Sequence, residues 1–501
     1  MKTIFDLAAK RAELSPDALA FHQCDTDVKV SFAEFNRRAE QGASILENDG
    51  LGRGDRLAVL CHNSTVFFEL LFACAKIGAI LVPLNWRQTP AELTPILLDC
   101  GAATLLHDAP TATLAHALAA STGVRCLSFA AYDDRLGNAR PRGGRDTAWP
   151  TDRIWYLLYT SGTTGRPKAV IQTVGMALAN ALNVQQATLL TAADRSINFL
   201  PLFHTAGINL HTLPLFIAGG SSSVLAKFEV DPLLDLIATD RVSIFFGVPA
   251  VYQALSLHAR FATADLSRVR HWGCGGAPLP ASLIHLYLAK GVRVCNGMGM
   301  TETGPTVFLM NPERAGEKIG SVGKPQLLSE VRLVDADGRD VESGQPGEIL
   351  FRGPNITPGY YNNPEATAAA ITPDGWLRSG DIARRDSEGF YYIVDRIKDM
   401  FISGGENVYP AEVEGVLCNH PAVLEAAVIG VADARWGEVG HAAVRLRAAQ
   451  ALEADQLRAF ARTQLAAYKV PKFVTVVEDF PRTAAGKVQK HVLRRQLGEI
   501  S

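Results

Sequence analysis

The residues best equipped for chemistry lie in one short stretch, Tyr159-Thr160-Ser161-Gly162-Thr163-Thr164-Gly165-Arg166-Pro167-Lys168. It follows an apolar, aromatic run of strand length over 154–159. Glycine lets a backbone turn tightly and bring its N–H groups close to an anion. The hydroxyls add donors and the lysine adds a point charge. A strand end opening into such a loop is a cradle for phosphate. It is not a Walker A loop, which needs four residues between its glycines and a Ser or Thr after the lysine. Here only Thr163 and Thr164 separate Gly162 from Gly165, and Ala169 follows Lys168.

Further clusters carry usable residue types. His204 follows a Pro201-Leu202-Phe203 turn after an apolar strand. Glu302 lies in Gly297-Met298-Gly299-Met300-Thr301-Glu302-Thr303-Gly304, where a carboxylate facing a phosphate loop could offer Mg2+ an oxygen ligand. Asp381, in Ser379-Gly380-Asp381, could take the two hydroxyls of a ribose. Ile402-Ser403-Gly404-Gly405-Glu406-Asn407 is a glycine turn suited to close backbone approach by a ligand. Near the C-terminus, Pro481-Arg482-Thr483-Ala484-Ala485-Gly486-Lys487 sets a lysine in a glycine-containing loop.

These residues need a scaffold, and the chain is long enough for more than one core. With 501 residues, two or more domains are expected. The composition, 48% hydrophobic and 20% charged, is that of a globular protein. A formal net charge of −2 gives no bulk attraction for nucleic acid. The eight cysteines form no CxxC and no zinc-type spacing, which reads as reduced, mostly buried thiols of a cytoplasmic protein. The N-terminus is charged and is not a secretory signal. The most apolar segment, 66–84, is interrupted by Glu69 and Lys76 and ended by Gly78 and Pro83, so a core helix running into a strand is expected, not a membrane span.

Helix and strand signals alternate through residues 1–150. Ser31 with Glu34 reads as a capping box opening a helix to about Asn48, 56–60 and 79–82 read as strands, Thr89-Pro90-Ala91-Glu92 starts another helix, and 102–106 is a further strand. Strand runs at 195–200, 221–225, 242–246, 271–273 and 292–295 continue the pattern. Such alternation predicts an α/β fold with parallel, doubly wound sheets, whose ligands sit outside the carboxyl ends of the strands. Several special loops after several strands then imply one shared crevice. Hairpin signals over 320–395 predict a small antiparallel or β-barrel-like subdomain, and 400–501 reads as a compact α+β domain with helices at 410–418 and 454–467.

Together, in this order, the motifs resemble one family, the adenylate-forming superfamily of acyl-CoA synthetases, peptide-synthetase adenylation domains and firefly-type luciferases. The resemblance runs from about residue 25 to the C-terminus and is most specific at 159–168, 299–302, 379–381, 396–407 and 481–487. It implies two half-reactions: a carboxylate attacks the α-phosphate of ATP, releasing pyrophosphate, and a thiol, usually coenzyme A, then displaces AMP from the acyl-adenylate. It implies a domain at 1–395 binding AMP, a hinge at 396–399 with Lys398 at its pivot, and a mobile domain at 400–501.

By that resemblance Thr160, Ser161, Gly162, Thr163, Thr164, Gly165 and Lys168 hold the outer phosphates, and Thr301 and Glu302 meet the α-phosphate and Mg2+. Gly275, Gly276, Ala277, Asn296, Gly297 and Met298 line the adenine, and Asp381 and Arg396 hold the ribose. Lys487 bridges the attacking carboxylate and the α-phosphate. His204 gates an acyl tunnel also lined by Gly207, Gly275, Gly299 and Met300, and rotation brings Ser403, Gly404 and Gly405 to the CoA channel. Met298 stands where many relatives have a tyrosine, and Ala169 where many have glycine.

A free-standing acid–CoA ligase is the expectation, since the chain ends soon after the Lys487 motif. A ligase loading a separate carrier protein and an inactive binding homologue are the alternatives. No Arg or Lys lies in the tunnel segments 203–209, 246–248, 272–276 and 299–307, so a second substrate carboxylate would be unpaired and a monocarboxylic acid is expected. A medium- or long-chain fatty acid comes first, with a benzoate- or cinnamate-type aromatic acid next. A homodimer stays open as an assembly.

Overall fold

The computed structural model describes residues 1–140, 148–160, 167–239, 242–482 and 487–498. Its largest sheet has six strands in the order Lys168–Thr173, Ile154–Thr160, Ile80–Pro83, Arg56–Leu60, Thr104–His107 and Arg125–Ser128. Four of its five pairings are parallel, while Lys168–Thr173 runs antiparallel to Ile154–Thr160 with Thr160 opposite Lys168. The phosphate stretch therefore closes a hairpin. A parallel return needs a crossover of a dozen or more residues, and the segment between Thr160 and Lys168 is too short for one.

A second sheet orders Arg195–Asn198, Ser221–Val224, Leu19–Gln23 and Val28–Ser31. A third sets Ile244–Gly247, His271–Cys274 and Val294–Met298 in parallel, with Phe308–Leu309 antiparallel at its edge. The hairpin-rich region forms a four-stranded antiparallel meander, Glu330–Val334, Gly347–Arg352, Leu377–Arg385 and Tyr391–Arg396. The separate C-terminal domain is built on a five-stranded sheet flanked by the helices Pro410–Leu417, Ala454–Arg462 and Lys490–Gly498. The fold is thus α/β with mixed sheets: in each of the first three, one antiparallel strand lies at an edge of otherwise parallel strands, while the meander is wholly antiparallel.

Local signals explain many boundaries. Thr89 and Glu92 make a full capping box at the start of the helix Pro90–Cys100. Ser31 caps Phe32–Asn48 through the Glu34 N–H at 3.2 Å. The Glu34 carboxylate instead accepts from the Arg37 guanidinium, so only half of that box forms. The helix Ala454–Arg462 ends earlier than its apolar pattern suggests, and Ala467–Lys469 forms a separate tight turn.

The apolar stretch at 66–84 is a core helix, Thr65–Ile77, followed by the strand Ile80–Pro83. Both of the charges in that helix are buried, and each is compensated. Lys76 Nζ donates to Asp6 at 2.6 Å, Glu40 at 2.7 Å and Asn36 at 2.8 Å. Glu69 accepts from Arg38 at 2.7 Å. Buried charges persist only when paired in this way. Phe21, Phe35 and Phe216 pack against Phe68 and Phe72 of the helix, joining the first two sheets in one core. Among the described residues no helix is long and apolar enough to cross a membrane. All eight cysteines are free thiols.

Candidate active site

The hairpin delivers Thr160 and Lys168 to the end of the large sheet. Ser161, Gly162, Thr163, Thr164 and Gly165 lie outside the described residues. The return strand carries more than Lys168. Its neighbour is the segment 357–361, where Ile171 N–H donates to Gly359 O at 3.2 Å and Tyr361 N–H to Ala169 O at 2.8 Å. This sets the Tyr360 ring beneath the Lys168 ammonium, 5.3 Å from Nζ to the ring centroid.

The same segment fixes Glu302. The Glu302 turn, Thr301–Thr303, follows the strand Val294–Met298. Its backbone is pinned from both sides: Gln172 Nε2 donates to Thr301 O at 2.8 Å, and Thr357 N–H to Glu302 O at 2.8 Å. The carboxylate is buried, and its Oε1 accepts from Tyr360 Oη at 2.9 Å. Burial pushes the Glu302 carboxyl above its ordinary value, only partly opposed by the Tyr360 bond and by Arg396 and Lys168. A buried carboxylate with so little compensation suits a hard cation, which prefers oxygen ligands.

Asp381 and Arg396 face each other across the strands Leu377–Arg385 and Tyr391–Arg396, with Nε and Oδ1 3.3 Å apart. Burial raises the Asp381 carboxyl, and Arg396 and Lys487 oppose that rise. Lys487 arrives from the C-terminal domain. A Cβ built on Gly276 would stand 3.9 Å from Lys487 Cε, so the lysine lies against the glycine wall of the third sheet. Burial and the Arg396 charge lower its ammonium to about 8, while Asp381 and Glu302 act in the opposite sense. The structure thus brings Lys168, Glu302, Asp381, Arg396, Gly276 and Lys487 to one crevice, although they come from widely separated segments. Thr483–Gly486 lie outside the described residues.

Glycines shape the walls. A Cβ on Gly299 would lie 1.9 Å from Pro305 O, and one on Gly207 2.4 Å from Pro201 O, so neither position admits a side chain. A Cβ on Gly275 would lie 2.8 Å from Phe246 Cζ. Gly276 and Ala277 are exposed at the rim, and Asn296, Gly297 and Thr301 are half-buried. Met298 is tucked into the apolar cluster of Val307, Phe308, Val322 and Tyr391, with Met300 at the edge of that cluster. His204 packs against Phe203, and its Nε2 is buried without a hydrogen-bond partner. Burial, with Lys487 and Arg87 nearby, lowers the imidazole to about 4, so it is neutral near pH 7.

The segment 396–399 is held by Ile397 N–H donating to Gly380 O at 2.9 Å, with Lys398 exposed just beyond. Asp395 Oδ2 accepts from Ala411 N–H at 2.7 Å, tying the meander to the first turn of Pro410–Leu417. Ser403, Gly404 and Gly405 form a turn anchored inside the C-terminal domain, where Gly404 N–H donates to Trp436 O at 2.8 Å. Gly404 and Gly405 have φ of +62° and +90°, which only glycine adopts readily.

Sequence reasoning missed Tyr360, Gln172 and Arg87. Tyr360 follows the turn-forming pair Pro358-Gly359, a signal for a special loop but not for its partner. Phe246 lies in the expected tunnel segment 246–248, but its packing over Gly273 and Gly275 carries no sequence signal.

Cations and carboxylates converging at strand ends, with a lysine supplied by a second domain, make chemistry for activating an acid with a nucleotide, and the fold defines that class. Within that class the assignment is specific. The model of the AMP-binding enzyme family matches residues 8–361, and that of the AMP-binding enzyme C-terminal domain matches residues 412–487. The chain belongs to the AMP-binding enzyme family. It is 42% identical to a feruloyl-CoA synthase of Amycolatopsis sp over 489 residues, covering 98% of each chain. It is 36% identical to the long-chain-fatty-acid–CoA ligase FadD13 of Mycobacterium tuberculosis, covering 99% of each. Its structure resembles ATP-bound MatB from Rhodopseudomonas palustris with a TM-score of 0.91 at 32% identity, covering 99% of this chain and 100% of that one. The protein is an AMP-forming acid–CoA ligase that uses ATP with Mg2+ and takes CoA as co-substrate.

Proposed function

We propose that the chain couples an aromatic monocarboxylic acid to CoA through an acyl-adenylate, and that residues 1–395, 396–399 and 400–501 act as nucleotide domain, hinge and moving domain. The observation that carries the substrate reading is the position of Phe246. Its ring lies across the third sheet, where a Cβ on Gly273 or Gly275 would stand 2.6 or 2.8 Å from ring carbons. Behind it, Leu200, Gly207, His211 and Thr212 help enclose a cavity of only about 10 Å3. That is room for at most one water. With so little space behind its Phe246 floor, the slot is read as one that suits an aryl group between glycine backbone and the Phe203–His204 turn better than a long aliphatic chain. The aromatic acid therefore takes precedence over the fatty acid expected first from sequence, in keeping with the similarity to a feruloyl-CoA synthase.

In this reading the 160–165 loop and Lys168 hold the β- and γ-phosphates, and Asp381 accepts from the ribose hydroxyls while Arg396 orients it. Gly275, Gly276, Ala277, Asn296 and Gly297 flank the adenine, with Met298 supporting from the core side. Glu302 would hold Mg2+, with Thr301 beside the α-phosphate; the bound ion supplies charge neutralisation of the phosphates. Tyr360 orients the Glu302 carboxylate. Lys487 donates to the incoming carboxylate oxygen and to an α-phosphate oxygen, offsetting the repulsion between two anions. Its lowered ammonium is what a lysine awaiting an anionic partner should show. The carboxylate oxygen bonds to the α-phosphorus as the bond to pyrophosphate breaks. After the domain turns at Lys398, the CoA sulfur attacks the acyl carbon and AMP leaves. Neutral His204 stands at the slot as an uncharged gate, together with Gly207, Gly299 and Met300. Ser403, Gly404 and Gly405 line the pantetheine path. A cytoplasmic location is supported by the free thiols.

The test is a panel of acids with AMP release as readout. Cinnamate-type acids should exceed octanoate by at least tenfold in kcat/KM, and malonate should be inert. Octanoate turned over as well as the best aromatic acid would overturn the substrate reading.

A further inference from the structure

A second cluster of ligating side chains lies at the opposite edge of the large sheet from the phosphate hairpin. His107 ends the strand Thr104–His107, His116 lies on the helix Ala112–Thr122, and Cys126 lies on the edge strand Arg125–Ser128. The spacing between them matches no zinc-finger pattern. The fold joins them, because the helix is the crossover between two parallel strands and packs over their shared face. Leu105 pairs with Cys126 in the parallel register, so His107 and Cys126 lie on one face of the sheet. One ligand atom from each of the three residues lies within 4.8 Å of the other two.

A second observation points to a ligand. His107 Nδ1 lies 2.8 Å from Asp108 O. A carbonyl oxygen can only accept, so Nδ1 carries the proton and Nε2 keeps its lone pair. A ring nitrogen anchored on a backbone carbonyl is the usual support for a metal-binding histidine. His116 stands nearly perpendicular to His107, with ring centroids 5.4 Å apart, and it is exposed. The cluster is therefore open to solvent on one side and fixed by the sheet on the other.

We propose that His107, His116 and Cys126 form a binding site for a borderline-soft divalent cation of the Zn2+ type. Two imidazoles and one thiolate make a donor set suited to Zn2+ and Co2+ and unsuited to Mg2+, which requires oxygen. In a tetrahedral site with Zn–N near 2.0–2.1 Å and Zn–S near 2.3 Å, neighbouring ligand atoms lie about 3.3–3.7 Å apart. Small side-chain rotations from the observed separation reach that geometry. Water from the open side would complete the fourth position. Binding releases the Cys126 thiol proton to solvent and clamps the crossover helix to the edge strand. The cluster lies at the sheet edge opposite the strand that carries Lys168, and a structural or regulatory role is proposed for it.

Co2+ is the appropriate probe, because a cobalt–thiolate bond gives a near-ultraviolet charge-transfer band that oxygen ligands do not. Metal-free full-length enzyme is titrated with Co2+ in excess Mg2+. The band should rise to saturation at one equivalent per chain and be bleached by Zn2+. Cys126→Ser should abolish it, and His116→Ala, at an exposed position, should weaken Co2+ binding at least tenfold. Absence of a thiolate band in the native enzyme, or a band that survives Cys126→Ser, overturns the proposal.

Discussion

Replacing Phe246 by alanine tests the floor of the acyl slot. The side chain is 8% exposed and lies against two glycines that leave no other side chain to fill the space. Removing the ring opens the slot toward the small cavity bounded by Leu200 and His211. Each methylene that then enters contributes about 0.8 kcal/mol, or about fourfold. An acid able to place about four methylenes there gains about 3 kcal/mol, or roughly 10²-fold in kcat/KM. The cinnamate-type acid loses its aromatic floor and falls about tenfold, a loss of about 1.4 kcal/mol, within the range of an aromatic contact. The variant should also lose about 3–5 kcal/mol of stability, the usual cost of Phe→Ala in a core. The assay is AMP release on decanoate and on the best aromatic acid, run well below the melting temperature and paired with a thermal melt. If the variant folds and the ratio of the two kcat/KM values is unchanged, Phe246 does not set the depth of the slot.

Other consequences are equally direct. In free enzyme the Lys487 ammonium sits at about 8, so it is charged below that pH and neutral above it. Accordingly kcat/KM for ATP in pyrophosphate release should fall as pH rises through about 8, and this limb should be missing in Lys487→Ala. Tyr360→Phe removes the bond to the Glu302 carboxylate and should cost about 10–100-fold in adenylation, the equivalent of about 1.5–3 kcal/mol for a hydrogen bond to a charged group. Gly404→Ala forces a side chain into φ +62°, with its Cβ 2.8 Å from Trp436. It should slow CoA-dependent AMP release while leaving acid-dependent ATP–pyrophosphate exchange within about twofold, because the turn is proposed to serve only the second half-reaction.

Much of the scaffold was legible because local physics dictates it. Thr89 with Glu92 caps a helix wherever the chain places it, and the strand runs from Arg56 to Val294 announce themselves by composition. The antiparallel return of Lys168–Thr173 was not expected from sequence, although the short loop accounts for it once the strand is seen. Contacts that depend on two distant segments were not legible. Tyr360 matters because residues 357–361 lie beside Lys168–Thr173, and no periodicity reports that. Phe246 sets the slot only because Gly273 and Gly275 leave room for its ring. Met298 invited a stacking role by its place in the motif, and the structure packs it into the subdomain core with Phe308 and Tyr391. His107, His116 and Cys126 are ordinary in sequence, and a crossover helix unites them. Glu69 and Lys76 show the same limit from the other side: their charges ruled out a membrane span, but their partners Arg38, Asp6 and Glu40 appear only in the fold.

Lys487, delivered by the C-terminal domain, is proposed to serve the first half-reaction and to be withdrawn for the second. The direct measurement separates the two steps in Lys487→Ala: pyrophosphate release from ATP and acid, and acyl-CoA formation from a supplied acyl-adenylate and CoA. Adenylation should fall by about 10²–10³, the usual cost of removing one transition-state donor, while thioester formation stays within a few-fold of native. Adenylation at the native rate, or equal loss in both steps, would contradict the account.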